Sequence, residues 1–425
     1  MKGSVRRWSR STALLVSIAL ALRLAAVLAW GGPCRAATGS TWEWGHEAAC
    51  LAHSLIEHGA YGDPFCQRTG PSAWLTPPFP ALLALILAAG GGVTPAAALL
   101  LQVFQAALSA STCALLVVLG RRLGLERAGR LAGWMWALYP LALWHAARTV
   151  WDTTAVAWGV PAFLVVLSSA DGSVRASVRV GVALGALVFL SPVTAALAPV
   201  AVAWMSGGAH SPAQALRNGL LCCISALGVC LPWMVRNELA LGTPALRTNF
   251  GVALRLGNGE AASGAPVPFR EHPALDAAEL ARLRALGEVG YDRDSRSRAL
   301  AWIGAHPARF ARLSAERLRG FWLGRWPDRQ RGTEEQIEPG GDWESWLGYG
   351  TFLVLAALAL GGALAGAAQP AARALLGGAA LLYGIPYCLT HVSERYRFPI
   401  DPLLALLAAC LLIRLSQSRR ARGLG

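Results

Sequence analysis

The chain alternates long apolar blocks with short polar punctuation. Blocks of about 15 to 25 residues, near the length needed to cross a bilayer, fall at 11–31, 95–119, 127–145, 149–169, 178–191, 192–206, 216–234, 346–366, 372–390 and 399–415. This pattern predicts an all-α polytopic membrane protein with about ten transmembrane helices. Two long stretches break the rhythm, 32–94 and 235–345, and they divide the chain into three parts. Residues 1–234 form an N-terminal membrane module with a first outer loop, 32–94. Residues 235–345 form a large outer region, and 346–425 return to the membrane and end in a basic tail.

Inside the first loop, Ala48, Leu51, Ala52, Leu55 and Ile56 recur at helical spacing. They predict an amphipathic helix over 41–58, started by a Ser40/Glu43 capping box and stopped by Gly59. Trp42, Trp44, Tyr61 and Trp74 suit a membrane–water interface, so the helix is expected to lie along the outer leaflet. The segment 77–91 is apolar yet only about 15 residues long, short for a span, and is read as a second juxtamembrane or re-entrant helix. In the outer region Leu280, Leu283, Leu286, Leu300, Ile303, Phe310 and Leu313 repeat at helical spacing, which predicts a folded helical layer.

Charge orients this scheme. Of the net +14, the N-terminus, 121–130, the turns at Arg175/Arg179, Arg217 and Arg373, and the tail from Arg414 hold sixteen Lys/Arg against two acids. The other face is nearly neutral. The positive-inside rule therefore puts both termini in the cytoplasm, and counting 77–91 as a span would destroy the partition. The basic excess belongs to topology, with no basic–aromatic clustering that calls for nucleic acid. Arg23, within the first span, is expensive against lipid and must face the bundle, snorkel, or meet a loop carboxylate. Cys34, Cys50 and Cys66 share the first loop, where one disulfide can form among them.

Candidate chemistry gathers in the outer segments. Glu47 lies past the reach of a helix cap, and a carboxylate at the edge of an apolar phase can serve as a general base. Glu43 has the competing structural role of a capping acid. Asp152 stands where it could be either a site carboxylate or a complement to a helix dipole. Arg148, Arg236, Arg395 and Arg397 flank span mouths, and guanidinium forks suit phosphate oxygens, although interfacial arginines often only snorkel. Asn249, Arg255, Asn258 and Tyr396 are candidate substrate contacts, with turn chemistry the plainer reading of the asparagines. Neither HExxH, CxxC nor GxxxxGK[ST] occurs, so no protein-built zinc site or nucleotide hydrolysis is indicated.

Taken together, HEAACLAHSLIEHGAYGDPF, TGPSAWLTPPFPALLALIL, PWMVRNELALGTPALRTNFGVALRLGNGE, HPARFARLSAERLRGFW and SERYRFPIDPLLALLA resemble the integral-membrane glycosyltransferases of the GT-C superfamily. More narrowly they are similar to bacterial relatives of dolichyl-phosphate-mannose–protein mannosyltransferases and of the lipid A aminoarabinose transferase. The resemblance covers nearly the whole chain. It implies a GT-C-like fold and inverting transfer of a sugar from a polyprenyl-phosphate donor to a lipid, glycan or protein acceptor. The setting it implies is the outer face of the bacterial cytoplasmic membrane. It makes a first-loop carboxylate the general base, Glu47 matching a Glu variant of the motif. The commoner acidic position falls on Trp44 and Gly45, which keeps Glu43 as an alternative. Asp152 matches an acidic position near the active site or a divalent metal, and SERYRFP supplies donor-binding arginines.

Other classes are a lipid or sugar transporter or flippase, and a non-catalytic scaffold of the same fold. A transporter needs ionisable groups at the midplane and repeated halves. Here the ionisable groups gather in outer loops, and no second half resembles the first.

Overall fold

The computed structural model describes residues 2–31, 41–262, 271–324 and 343–421. Cys34 and Ser40 lie outside them. Among the described residues helix is the only regular structure beyond one isolated bridge, Gly62 to Pro71. In chain order the helices are α1 (Lys2–Trp30), α2 (His46–His58), α3 (Pro78–Gly90), α4 (Pro95–Arg122), α5 (Glu126–Leu138), α6 (Pro140–Arg148), α7 (Thr153–Leu167) and α8 (Val174–Leu190). There follow α9 (Ala198–Gly207), α10 (Pro212–Leu241), α11 (Phe250–Gly257), α12 (Ala277–Ala305), α13 (Pro307–Leu323), α14 (Trp343–Leu364), α15 (Pro370–Leu389), the single turn α16 (Glu394–Arg397) and α17 (Asp401–Ala421).

Every predicted span coincides with helix. Among the described residues six segments are long and apolar enough to cross a membrane: Arg10–Trp30, Pro95–Arg122, Pro212–Leu241, Trp346–Leu364, Pro370–Leu389 and Glu394–Arg419. The chain is an all-α multi-pass membrane protein. The other four predicted spans are shorter or broken helices packed among these six. The 127–145 block is not one span: Tyr139 turns extended (ψ 116°) before Pro140, and the helix divides into α5 and α6. A proline disfavours helical backbone in the preceding residue and has no N–H for the carbonyl four residues back.

That break explains Arg23. Its Nη2 donates to the Trp136 carbonyl (3.0 Å) and Nη1 to the Ala137 (3.3 Å) and Ala19 (3.0 Å) carbonyls, while Nε donates to Ser109 Oγ (2.8 Å). The buried cation answers the carbonyls that the α5–α6 break leaves short of donors, and among the described residues it meets no loop carboxylate. Elsewhere close helix approach relies on small residues. Cβ atoms added at Gly181 and Gly185 of α8 would stand 2.4 and 2.5 Å from α10 carbonyl oxygens.

Two apolar cores result. One fills the bundle from α1 and α4 to α17. The second joins α2, the rest of the first loop, α3 and the start of α4 to Trp233, Val252, Leu280, Leu283 and Tyr291. Trp44, Tyr61 and Trp74 lie inside this second core, and only Trp42 is exposed. Their expected place at the lipid interface is thus corrected: α3 and the outer helices cover α2, whose Ala48, Leu51 and Ala52 are fully buried. Helix α3, at 13 residues, rises about 20 Å, short of the ~30 Å hydrocarbon layer. Leu280, Leu283 and Leu313 are buried as predicted, whereas Leu286 and Leu300 are exposed, because α12 breaks at Gly287 (φ 68°) and its stripe changes direction.

Candidate active site

Helix α2 is shorter at its start than its sequence predicts. Thr41–Trp44 form a 3-10 turn, Gly45 is the cap residue in left-handed conformation (φ 68°), and no side chain caps the helix. Glu43 does not cap α2, and the Ser40 partner of its expected capping box lies outside the described residues; its Oε2 is buried without a hydrogen-bond partner among the described residues. Gly45 is fixed by sterics as well as by its φ, since an added Cβ would stand 2.5 Å from the Val150 carbonyl oxygen. No side chain, and hence no carboxylate, fits at that position. Gly59 ends the helix as expected, its N–H on the Leu55 carbonyl. Cys50 pairs with Cys66 in a disulfide, and Asp63 Oδ1 accepts from the N–H groups of Thr69 (2.7 Å) and Gly70 (2.8 Å). The loop is tied to its helix from both ends.

The outer region clamps this loop from above. The break at Gly287 turns Glu288 inward, where Oε1 accepts from Ala73 N–H (2.7 Å) and from the Thr248 hydroxyl. Arg236 donates to the carbonyls of Ser72 (2.7 Å) and Tyr61 (2.8 Å) and lies over the Trp233 ring.

Against this frame the Glu47 side chain is only 12% exposed. Burial pushes its pKa above the ordinary glutamate value, while the charge of Arg395 pulls against that rise. Its Oε1 lies 3.7 Å from His272 Nε2. Burial pushes the His272 imidazole down to about 3 and His391 to about 4, so both are neutral near pH 7. Arg395 lies over the Trp151 ring (4.3 Å) and donates to the Tyr396 hydroxyl (3.2 Å), which also meets His391 Nε2 (3.0 Å). Tyr396 stacks on Tyr387 at 4.7 Å. Beside Trp151, Asp152 opens α7 without a side-chain cap bond and pairs with Arg247 at 3.8 Å. Arg247 also donates to the Thr76 hydroxyl (3.2 Å), and its buried Nε has no partner among the described residues.

The structure thus gathers Glu47, Asp152, Arg395 and Tyr396 at one end of the bundle, and adds Arg247, His272, His391, Trp151 and Tyr387. Other predicted residues serve the frame. Arg397 is buried beside Asp401 (3.6 Å), which accepts from the Tyr139 hydroxyl. Arg255 is buried between Glu271 and Glu279, 3.1 Å from each. Asn258 is buried between the Leu254 and Leu389 carbonyls and Arg317. Asn249 precedes α11 without capping it, and Arg148 ends α6, half-buried. Among the described residues no three His, Cys, Asp or Glu side chains are grouped as a metal site requires. Arg247 lies two residues before the predicted Asn249, inside LRTNF; His272 carries no periodic or spacing signal, because its partner is far away in sequence.

The described residues form an all-α membrane bundle with acids, arginines and aromatic rings gathered at one end. No protein-family model matches the chain, and neither does any curated protein by sequence. Among the solved structures that share its fold are two with a TM-score above 0.5. The archaeal oligosaccharyltransferase AglB from Archaeoglobus fulgidus, in complex with an inhibitory peptide and a dolichol-phosphate, is 14% identical with TM-score 0.52, over 97% of this chain and 51% of its own. ArnT from Cupriavidus metallidurans, bound to undecaprenyl phosphate, is 14% identical with TM-score 0.51, over 96% of this chain and 61% of its own. The chain spans little more than half the length of these proteins, and likeness at this identity establishes the fold.

Proposed function

We propose that the chain is a membrane glycosyltransferase that moves a sugar from a polyprenyl-phosphate donor to an acceptor at the outer face of a bacterial cytoplasmic membrane, with both termini in the cytoplasm. The observation that carries this reading is a poorly solvated carboxylate, Glu47, within reach of the charge of Arg395, which lies over Trp151 next to the Asp152 that pairs with Arg247. The two solved relatives in fold hold dolichol-phosphate and undecaprenyl phosphate.

In the proposed reaction Glu47 takes the proton of an acceptor hydroxyl as its oxygen attacks the anomeric carbon. The bond from that carbon to the phosphate oxygen breaks, the phosphate leaves with the electron pair, and direct displacement inverts the centre. Arg395, with Arg247, stabilises the charge that develops on the leaving phosphate, and weak solvation makes that attraction stronger than it is in water. Asp152 holds Arg247 in place. Tyr396 and Tyr387 offer an aromatic wall for the sugar, and Arg148 and Asn249 complete the rim. Arg236, Arg397, Arg255 and Asn258 support this pocket through the contacts described above. Lipid, glycan and protein hydroxyls are all chemically competent acceptors.

The test is transfer from defined polyprenyl-phosphate sugars in proteoliposomes, comparing wild type with Glu47→Gln and Glu43→Gln. Loss in Glu47→Gln with activity kept in Glu43→Gln supports the assignment. The reverse pattern moves the base to Glu43, whose buried Oε2 lacks a partner. Vectorial lipid transport without transfer from any donor would sink the enzyme.

A further inference from the structure

We propose that His272 is the positioning residue of Glu47: the N–H of Ala274 fixes its imidazole as the Nε2–H tautomer, aimed at the carboxylate from a separate outer segment. The proposal rests on the reading of Glu47 as the general base.

Ala274 N–H donates to His272 Nδ1 at 3.2 Å. Burial keeps the ring neutral, so with Nδ1 accepting, this bonding assigns the single ring proton to Nε2. The ring is held edge-on by Phe65 (5.8 Å) and Trp74 (5.7 Å), both from the disulfide-tied first loop. Nε2 therefore points steadily at Glu47 Oε1, 3.7 Å away. That is about 0.7 Å longer than a full N–H···O bond, and such contacts commonly tighten when substrate fills a site.

A neutral donor in this place favours the ionised carboxylate and opposes the effect of burial, without adding a second base. It also turns one oxygen toward His272 and leaves the other for the acceptor. The charged and titratable groups around the pair are Arg395, which acts on Glu47, and His46, Arg255 and His391, which act on His272. Helix α3, packed along α2, brings none. The base is thus completed only when segment 271–276 docks on the first loop, which makes the outer region part of the site.

The test uses the full chain in lipid nanodiscs and four backgrounds: wild type, His272→Leu, His272→Asn and His272→Gln. Gln can place an N–H near Nε2, whereas Asn keeps only the Nδ1 side. Labelling of Glu47 by dicyclohexylcarbodiimide, which attacks protonated carboxyls, is followed against pH by peptide mass spectrometry, with no donor present. The labelling midpoint should rise by about one pH unit, tenfold in proton affinity, in the Leu and Asn variants and return toward wild type in Gln.

In transfer assays the Leu and Asn variants should lose kcat about tenfold or more with KM nearly unchanged, and their acid limb should move up. In a Glu47→Gln background, His272→Leu should cost nothing further. Equal labelling midpoints in wild type, Asn and Gln, with unchanged melting temperatures, would overturn the positioning role, whichever residue is the base. Shifted midpoints together with full transfer by Glu47→Gln would leave the His272–Glu47 coupling standing and remove the base. If His272→Leu fails to fold, the Asn and Gln pair decides alone.

Discussion

Two polar sites in this protein answer burial in opposite ways. Arg23, in the bundle, donates to three backbone carbonyls and a serine hydroxyl, all within 3.3 Å. Glu47, under the outer cap, has its recorded nitrogen partner at 3.7 Å and its pKa raised by burial. A buried charge saturated with partners is structure, because each lost bond would leave a desolvated group behind. A buried carboxylate whose pKa burial still raises, despite a backbone hydrogen bond and a nearby arginine, is poised to take a proton, as site carboxylates are.

The largest expected effect is at Glu47. Replacing a general base typically costs 10²- to 10⁴-fold in rate, so Glu47→Gln should lose transfer by about that factor while melting no lower than wild type. The sign follows from linkage. A carboxyl raised in the folded state binds its proton more tightly there, so its contribution to stability is fully present below the ordinary 4.5 and is lost as pH rises through the raised value. The acid limb of activity should accordingly lie above 4.5, read from rate against pH.

Arg23→Met should do the reverse, costing about 3 kcal/mol of stability, seen as a lower melting temperature in nanodiscs, with activity lost only as the fold is lost. If Arg23→Met melts like wild type, the contrast between the sites collapses. Opening the Cys50–Cys66 link, with a sequence separation of 16, should remove up to about 3 kcal/mol of loop-closure stabilisation. Because that link lies on the Glu47 side, Cys50→Ala should lower transfer before it lowers global melting. The smallest effect is at Gly45. A Cβ there adds left-handed strain and a backbone contact, on the order of 2 kcal/mol, and Gly45→Asp should not rescue Glu47→Gln, since no carboxylate can be seated there.

Much of the fold was legible because burial in lipid demands long apolar runs and closed backbone hydrogen bonding. The first-loop helix, its stop at Gly59 and the apolar face of Ala48, Leu51 and Ala52 were readable for the same periodic reason. The start of that helix falls later than its sequence suggested, because Gly45, held in left-handed conformation against Val150, separates a 3-10 turn from α2. The aromatic residues were misplaced because Trp44 and Trp74 suit a lipid interface and a protein core equally well by composition. Among the candidate cations, sequence set Arg395 and Arg397 of SERYRFP above Arg236 and did not separate those two. Only their neighbours separate them: loop carbonyls for Arg236, Asp401 for Arg397, and Trp151 with Tyr396 for Arg395.

The sequence by itself determined the class of molecule, a helical membrane protein, with two long segments between its apolar blocks and a short list of acids and arginines in them read from charge and periodicity. The tertiary structure alone decided which of these meet. Local pattern carries the preferences of neighbours three or four residues apart, whereas Glu47, Asp152, Arg247, His272 and Arg395 come from five separate segments. Their encounter depends on how the outer core packs, and no single segment encodes that.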